Sequence, residues 1–283
     1  PEFKNFYKLS IKGLKGGHSG SDIDKERGNA LKILGRVLYD LKNHIEIGEI
    51  AGGGKDNAIP RESWVLLSAD DTTNISDAVN TWNDTLRREL RLSDPDIQVT
   101  IVKVSSCNQV YDGKTKEKII SLINMIPCGP LSRDLEHNLV VSSNNLGGIL
   151  ADDDTSEIKF VGLSRSSVKS LLHALIAAAE QIAALLEIKV TINALYPGWE
   201  YAVDSRIRTL FLKTYEELYG IKGKVDVIHA GLECGILLEK ISGVDAISLG
   251  PNIIDIHTPN EHISISSTGR TFKLLCEVLK QLK

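Results

Sequence analysis

A few short stretches hold most of the residues able to do chemistry. Near the C-terminus, "IDIHTPNEH" gathers His257, Glu261 and His262 at the end of an apolar strand pattern. A histidine at the carboxyl end of a strand in an α/β sheet lies where ligand sites form, and a neutral imidazole suits zinc. His262 falls on the alternation of a further strand and reads, with Glu261, as structural. In "GLKGGHSGSDI", His18 follows a strand in a glycine-rich turn. It is either a solvated turn residue or a nitrogen donor placed where backbone can approach a ligand, and such a donor can stabilise an oxyanion.

The other stretches point to anion binding. "GGGKDNAIPRE" sets Asn57 between glycines and a proline-stiffened strand, as a turn former or as an amide facing a carboxylate. "FVGLSRSSVKSLL" puts Arg165 where a strand meets a helix. A guanidinium there is a surface charge or a two-pronged grip on a carboxylate, aided by the helix N-terminus. "VIHAGLECGIL" carries His229, Glu233 and Cys234, with Gly231 and Gly235 allowing backbone N–H groups to face an anion. His229 reads more readily as a core histidine.

Bulk properties narrow the setting. The chain has 283 residues, 42% hydrophobic and 25% charged, as a packed globule requires. A net charge of -4 argues against nucleic acid or an anionic membrane surface as partner. The longest apolar helix, "LLHALIAAAEQIAALLEI", is interrupted by His173, Glu180 and Gln181, so no membrane span is expected. The chain runs from Pro1 almost directly into a strand pattern, and no signal peptide is expected. Cys107, Cys128, Cys234 and Cys276 are scattered and read as reduced thiols, which points to the cytoplasm.

These residues need a scaffold. Alternation in "FYKLSIKGL" predicts a strand, and the spacing of Ile33, Leu34, Val37, Leu38 and Leu41 predicts a helix from Asn29 to Lys42. Further strands are expected in "HIEIGEIAGGG", "AIPRESWVLLSAD" and "DIQVTIVKV", with a helix in "ISDAVNTWNDTLRREL" and a break at Asp94-Pro95. A second β/α unit is expected from "KEKIISLINMI", "NLVVSSNNLGGILAD", "EIKFVGLSRS", a helix over 167–186 and a strand "EIKVTINALY". "YPGWEY" marks the boundary between residues 1–194 and 195–283. Beyond it, helices alternate with strands "KVDVIHA" and "DAISLG", the rhythm of a doubly wound parallel sheet with too few strands to be whole.

The series GGHSG, GGGKDNAIP, NNLG, LSRSSV, YPGWEY, HAGLECGIL and HTPNE resembles the aminoacyl-histidine dipeptidases, cytosolic nonspecific dipeptidases of the M20 zinc metallopeptidase family. The resemblance covers roughly residues 5–283. It implies an α/β protein: a two-unit α+β lid or dimerisation domain, then the C-terminal part of a zinc-peptidase catalytic domain. It implies two zinc ions, with His257 a ligand, and His18 as the oxyanion donor, commonly reaching the partner subunit's site. Asn57, Arg165 and the backbone of Gly231 would hold the free C-terminal carboxylate of a dipeptide of the Xaa-His type. A homodimer through the lid is implied as well. The family's His-x-Asp motif is missing, and the sole Glu-Glu pair, Glu216-Glu217, lies in a helical stretch. Most of the metal shell and the general base are therefore absent, and the 283 residues are expected to be inactive alone. Two rival readings are a non-catalytic dimerisation or binding module, and an M20 deacylase or aminopeptidase.

Overall fold

In the computed structural model, the alternation near the N-terminus becomes β1 (Asn5–Lys12), followed by the short β2 (Gly17–His18). The structure describes residues 1–136, 138–152, 157–193, 197–226, 233–254 and 261–282. Helix α1 (Ala30–Leu41) begins where the Asn29 side chain accepts hydrogen bonds from the N–H groups of Leu31 and Lys32. That cap satisfies donors the first helical turn leaves unpaired. Next come β3 (Ile45–Gly53), β4 (Ala58–Ile59) and β5 (Ser63–Ala69). The pattern predicts one strand across β4 and β5; Pro60, with no N–H for a ladder, separates them.

Helix α2 (Ile75–Glu89) and β6 (Gln98–Lys103) complete the first half of this unit. Then follow α3 (Gly113–Met125), β7 (Gly129–Asp134), β8 (Leu139–Asp152), β9 (Glu157–Ser166) and α4 (Lys169–Leu185). The strands form one sheet in the order β6-β1-β5-β3-β8-β7, with β9 also on β8; β2 and β4 make a separate two-stranded ribbon. All of these pairings are antiparallel. The two β/α units expected from the sequence are thus joined in a single sheet. The second contributes a β7–β8–β9 meander rather than a copy of the first. "EIKVTINALY" forms no strand among its described residues, where Val190 and Ile192 are more than two-fifths exposed.

The join between the halves depends on glycine. Gly52 and Gly53 of β3 pair with Ile149 and Gly148 of β8. Gly53 has φ +66°, and a Cβ there would lie 2.0 Å from the Gly147 carbonyl oxygen. Only glycine tolerates both the left-handed backbone and that approach. Below the sheet, α1 buries Leu31, Leu34, Val37 and Leu38 completely against Leu9, Ile11, Ile47 and Leu67 of the strands.

The described residues form two compact units, the first running to residue 193 and the second starting at 197. The second contains α5 (Arg206–Tyr219), α6 (Glu233–Lys240), β10 (Ile253–Ile254), β11 (His262–Ile263) and α7 (Ile265–Gln281). Ser205 caps α5, and Asp245 accepts from Ser205 Oγ at 2.7 Å and Ile207 N–H at 2.9 Å. Gly220, at φ +68°, ends that helix in the left-handed region. The sole ladder among the second unit's described residues is the antiparallel β10–β11 pair. The described parts of "KVDVIHA" and "DAISLG" carry no strand.

Candidate functional site

Three of the residues singled out by type sit on the first unit. His18 ends β2, opposite Ala58 of β4. Its backbone N–H donates to Asp22 Oδ2 at 2.8 Å, and its carbonyl accepts from Asp22 N–H at 3.0 Å. The ring is turned back onto its own turn: Gly20 and Ser21 donate their N–H groups to Nδ1 at 3.1 and 3.2 Å. A nitrogen that accepts two N–H groups carries no proton, so the neutral ring is the Nε2–H tautomer. "HSGSD" therefore presents Nε2 as a donor by its own local geometry.

Asn57 occupies the turn that leads into β4, closed by Ala58 N–H to the Lys55 carbonyl at 3.2 Å. Its carbonyl accepts from Ser19 N–H at 2.8 Å, which ties it to the residue beside His18. The turn is anchored from below. Asn145 of β8, 1% exposed, donates through Nδ2 to the carbonyls of Asp56 and Ala58, both at 2.8 Å. Those carbonyls flank Asn57, whose own side-chain amide bonds to none of the described residues. Asn29, the α1 cap, donates to the Leu146 carbonyl at 2.9 Å and Asn145 Oδ1 at 3.4 Å, extending the network to the helix.

Arg165 lies on β9 opposite Ser143, two residues along β8 from Asn145. Its Nε is buried with no hydrogen-bond partner among the described residues. Burial lowers its affinity for a proton below that of an ordinary guanidinium, and the charge of Asp56 works in the opposite direction. A guanidinium partly withdrawn from water without a fork of acceptors is costly to keep. Ser19 Oγ is the other buried side-chain polar atom without a partner among the described residues, and it adjoins His18. Ser19 Oγ thus lies beside the His18–Asn57 turn pair, and Arg165 feels the charge of Asp56, the neighbour of Asn57.

By type, an imidazole N–H, an amide and a guanidinium are donors of the kind that hold a carboxylate or a developing oxyanion. Sequence reasoning singled out these three by residue type. It missed Asn145 as an anchor, although "NNLG" marked the segment, because its role exists only in contacts across strands.

Gly231, His229 and His257 lie outside the described residues. Glu233 opens α6, and His262 is in β11 opposite Ile254. Glu216 and Glu217 are on α5, where Glu217 is 56% exposed and pairs with Lys213 at 3.8 Å, a solvated face. A catalytic zinc takes three protein ligands. No group of three His, Cys, Asp or Glu side chains able to hold a metal occurs among the described residues, so these do not by themselves fit the implied zinc pair. All four cysteines are free thiols. No helix among the described residues is long and apolar enough to cross a membrane.

Residues 9–92 match the family model described as a peptidase dimerisation domain, M20 type. Over 281 residues the chain is 32% identical to the cytosol non-specific dipeptidase of Escherichia coli strain K12, covering 98% of this chain and 58% of that protein. It superposes on aminoacylhistidine dipeptidase from Vibrio alginolyticus with a TM-score of 0.90 and 31% identity, covering 99% of this chain and 58% of the other. The chain therefore spans somewhat more than half the length of these relatives. Residues 9–92 are thus similar to the M20 peptidase dimerisation domains, and the chain has the mixed α/β structure of the matching part of aminoacylhistidine dipeptidase.

Proposed function

We propose that the chain supplies the substrate-gripping part of an M20 dipeptidase that hydrolyses dipeptides with a free C-terminal carboxylate, Xaa-His among them. The observation that carries the reading is Arg165: a half-buried guanidinium whose Nε has no partner among the described residues, on the same platform as Asn57. Arg165 and Asn57 hold the carboxylate, with the Gly231 backbone as a third contact. His18 donates Nε2–H to the oxyanion formed at the scissile carbonyl. Binding the terminal carboxylate fixes how far the peptide reaches, which selects dipeptides over longer chains.

The reading includes two zinc ions, with His257 as one ligand and the others drawn from outside the described residues. Zinc, when bound, supplies a water of low pKa and polarises the carbonyl. With no His-x-Asp motif and its one Glu-Glu pair on a solvated helix, the 283-residue chain alone is expected to hydrolyse nothing. A homodimer through the first unit, working in the cytoplasm, completes the proposal. It is supported by the dimerisation-domain match and by β6, an edge strand with Val102 60% exposed.

The test is a titration of the chain with Ala-His and with its C-terminal amide, followed at the Arg165 Nε–H signal by NMR. The free acid is expected to shift that signal while the amide leaves it in place. Equal responses to both ligands would contradict a carboxylate grip.

A further inference from the structure

We propose that Asp94 is a positioning residue for His18, setting the ring orientation from outside the turn that carries it; this rests on His18 acting as the oxyanion donor. Asp94, before the pattern-breaking Pro95, is fully enclosed, with 0% exposure. Its Oδ1 accepts from Lys15 N–H at 2.7 Å and its Oδ2 from Gly28 N–H at 2.8 Å. Lys15 and Gly28 bracket residues 16–27, the segment holding His18, so one carboxylate grips both ends of that segment. A second contact fixes the same base: Gly13, at φ +81°, lies so close to the 94–97 turn that a Cβ would sit 2.0 Å from the Asp96 carbonyl oxygen.

Asp94 is itself held by its N–H to the Leu90 carbonyl at 2.8 Å and by its carbonyl to Ile97 N–H at 3.2 Å. The clamp thus ties the segment to the end of α2 and the start of β6. Inside the clamped segment, the bonds from Gly20 and Ser21 to His18 Nδ1 keep the proton on Nε2. These are bonds to backbone N–H groups, and they persist only while the turn keeps its shape. A carboxylate can accept from both ends of the segment at once. An asparagine can accept from one, and must face the other with its own N–H.

The experiment uses the 283-residue chain with 15N-labelled histidine and reads which ring nitrogen is protonated. The His18 signal is assigned with His18→Gln. In the unsubstituted chain, His18 is expected to show an unprotonated Nδ1 and a protonated Nε2. Asp94→Asn is expected to turn this into an average of the two tautomers, with the rings of His44 and His173 unmoved. Lys15→Pro removes one of the two donors while leaving the buried carboxylate in place, and serves should Asp94→Asn not fold. The same averaging is expected there.

An unchanged His18 ring in a folded clamp variant overturns the proposal. Because hydrolysis is not the readout, the two readings separate. A ring that changes in Asp94→Asn supports the clamp even if His18→Ala leaves dipeptide turnover intact in a catalytically complete enzyme. In that case it is the donor role of His18 that fails.

Discussion

The two units enclose their apolar residues to different degrees. In the first, Leu9, Leu34, Ile47 and Leu67 are fully covered by strands and helices. In the second, the buried cluster is Phe211, Leu274 and Val278, while on α7 Ile265 is 88%, Phe272 68% and Leu279 57% exposed. Burying a side chain of this size contributes about 1.5–3 kcal/mol, so among the described residues the second unit's own core is the weaker of the two. The covered core of the first unit bears on how His18, Asn57 and Arg165 are held. Donor geometry accurate to a few tenths of an ångström needs neighbours that do not yield, and the first unit has them in a finished core.

The largest effect expected from this contrast is in unfolding. In urea, the second unit is expected to unfold before the sheet of the first, read by hydrogen exchange at amides of α7 against those of β1 and β5. Leu34→Ala should lower the stability of the first unit by about 2–5 kcal/mol, with Leu274→Ala at the low end of that range. One transition that takes both units together would break the comparison.

A middle-sized effect is expected within the first unit. Asn145→Ala leaves the carbonyls of Asp56 and Ala58 without their donor and should cost about 1–3 kcal/mol by urea unfolding. It should also loosen the Asn57 turn, seen as faster exchange of the Ala58 amide. Loss of stability with an unchanged turn would show that Asn145 only fills the core.

The smallest effect is electrostatic and lies at the surface. Asp70 is held down to about 2 from an ordinary 3.8, chiefly by its bond to His44 Nδ1 at 2.8 Å and then by Thr72 and Thr73. A depressed carboxylate stabilises the fold above its unfolded value, and that contribution is lost as pH falls from about 4 through about 2. Asp70→Asn should therefore flatten the loss of stability in that window, measured as urea midpoints at pH 5, 3 and 2. An identical pH profile would mean the pair adds nothing.

The helices of both units were legible because their signals are local. Asn29, Asn74, Asp112, Ser205 and Ser264 cap the helices that periodicity predicts, and each acts within three residues of itself. Strands were legible only where partners exist. "FYKLSIKGL" pairs on both sides as β1, whereas "EIKVTINALY" alternates as well and finds no ladder among its described residues. The site divides in the same way. His18, Asn57 and Arg165 were singled out by side-chain type and turn context. Asn145 and Asp94 act by holding backbone groups 87 to 89 and 66 to 79 residues away, and no local pattern reveals that.

The central claim is that Arg165 on the first unit grips the C-terminal carboxylate of a dipeptide. Its most direct test compares Arg165→Ala with the unsubstituted residue, in a form of the enzyme that turns over dipeptides, using Ala-His and a C-terminally amidated counterpart. Loss of hydrogen bonds to a charged group, about 1.5–3 kcal/mol, should lower kcat/KM for the free acid roughly 10- to 100-fold and leave the amide nearly unchanged. Equal losses for the two substrates would contradict the account.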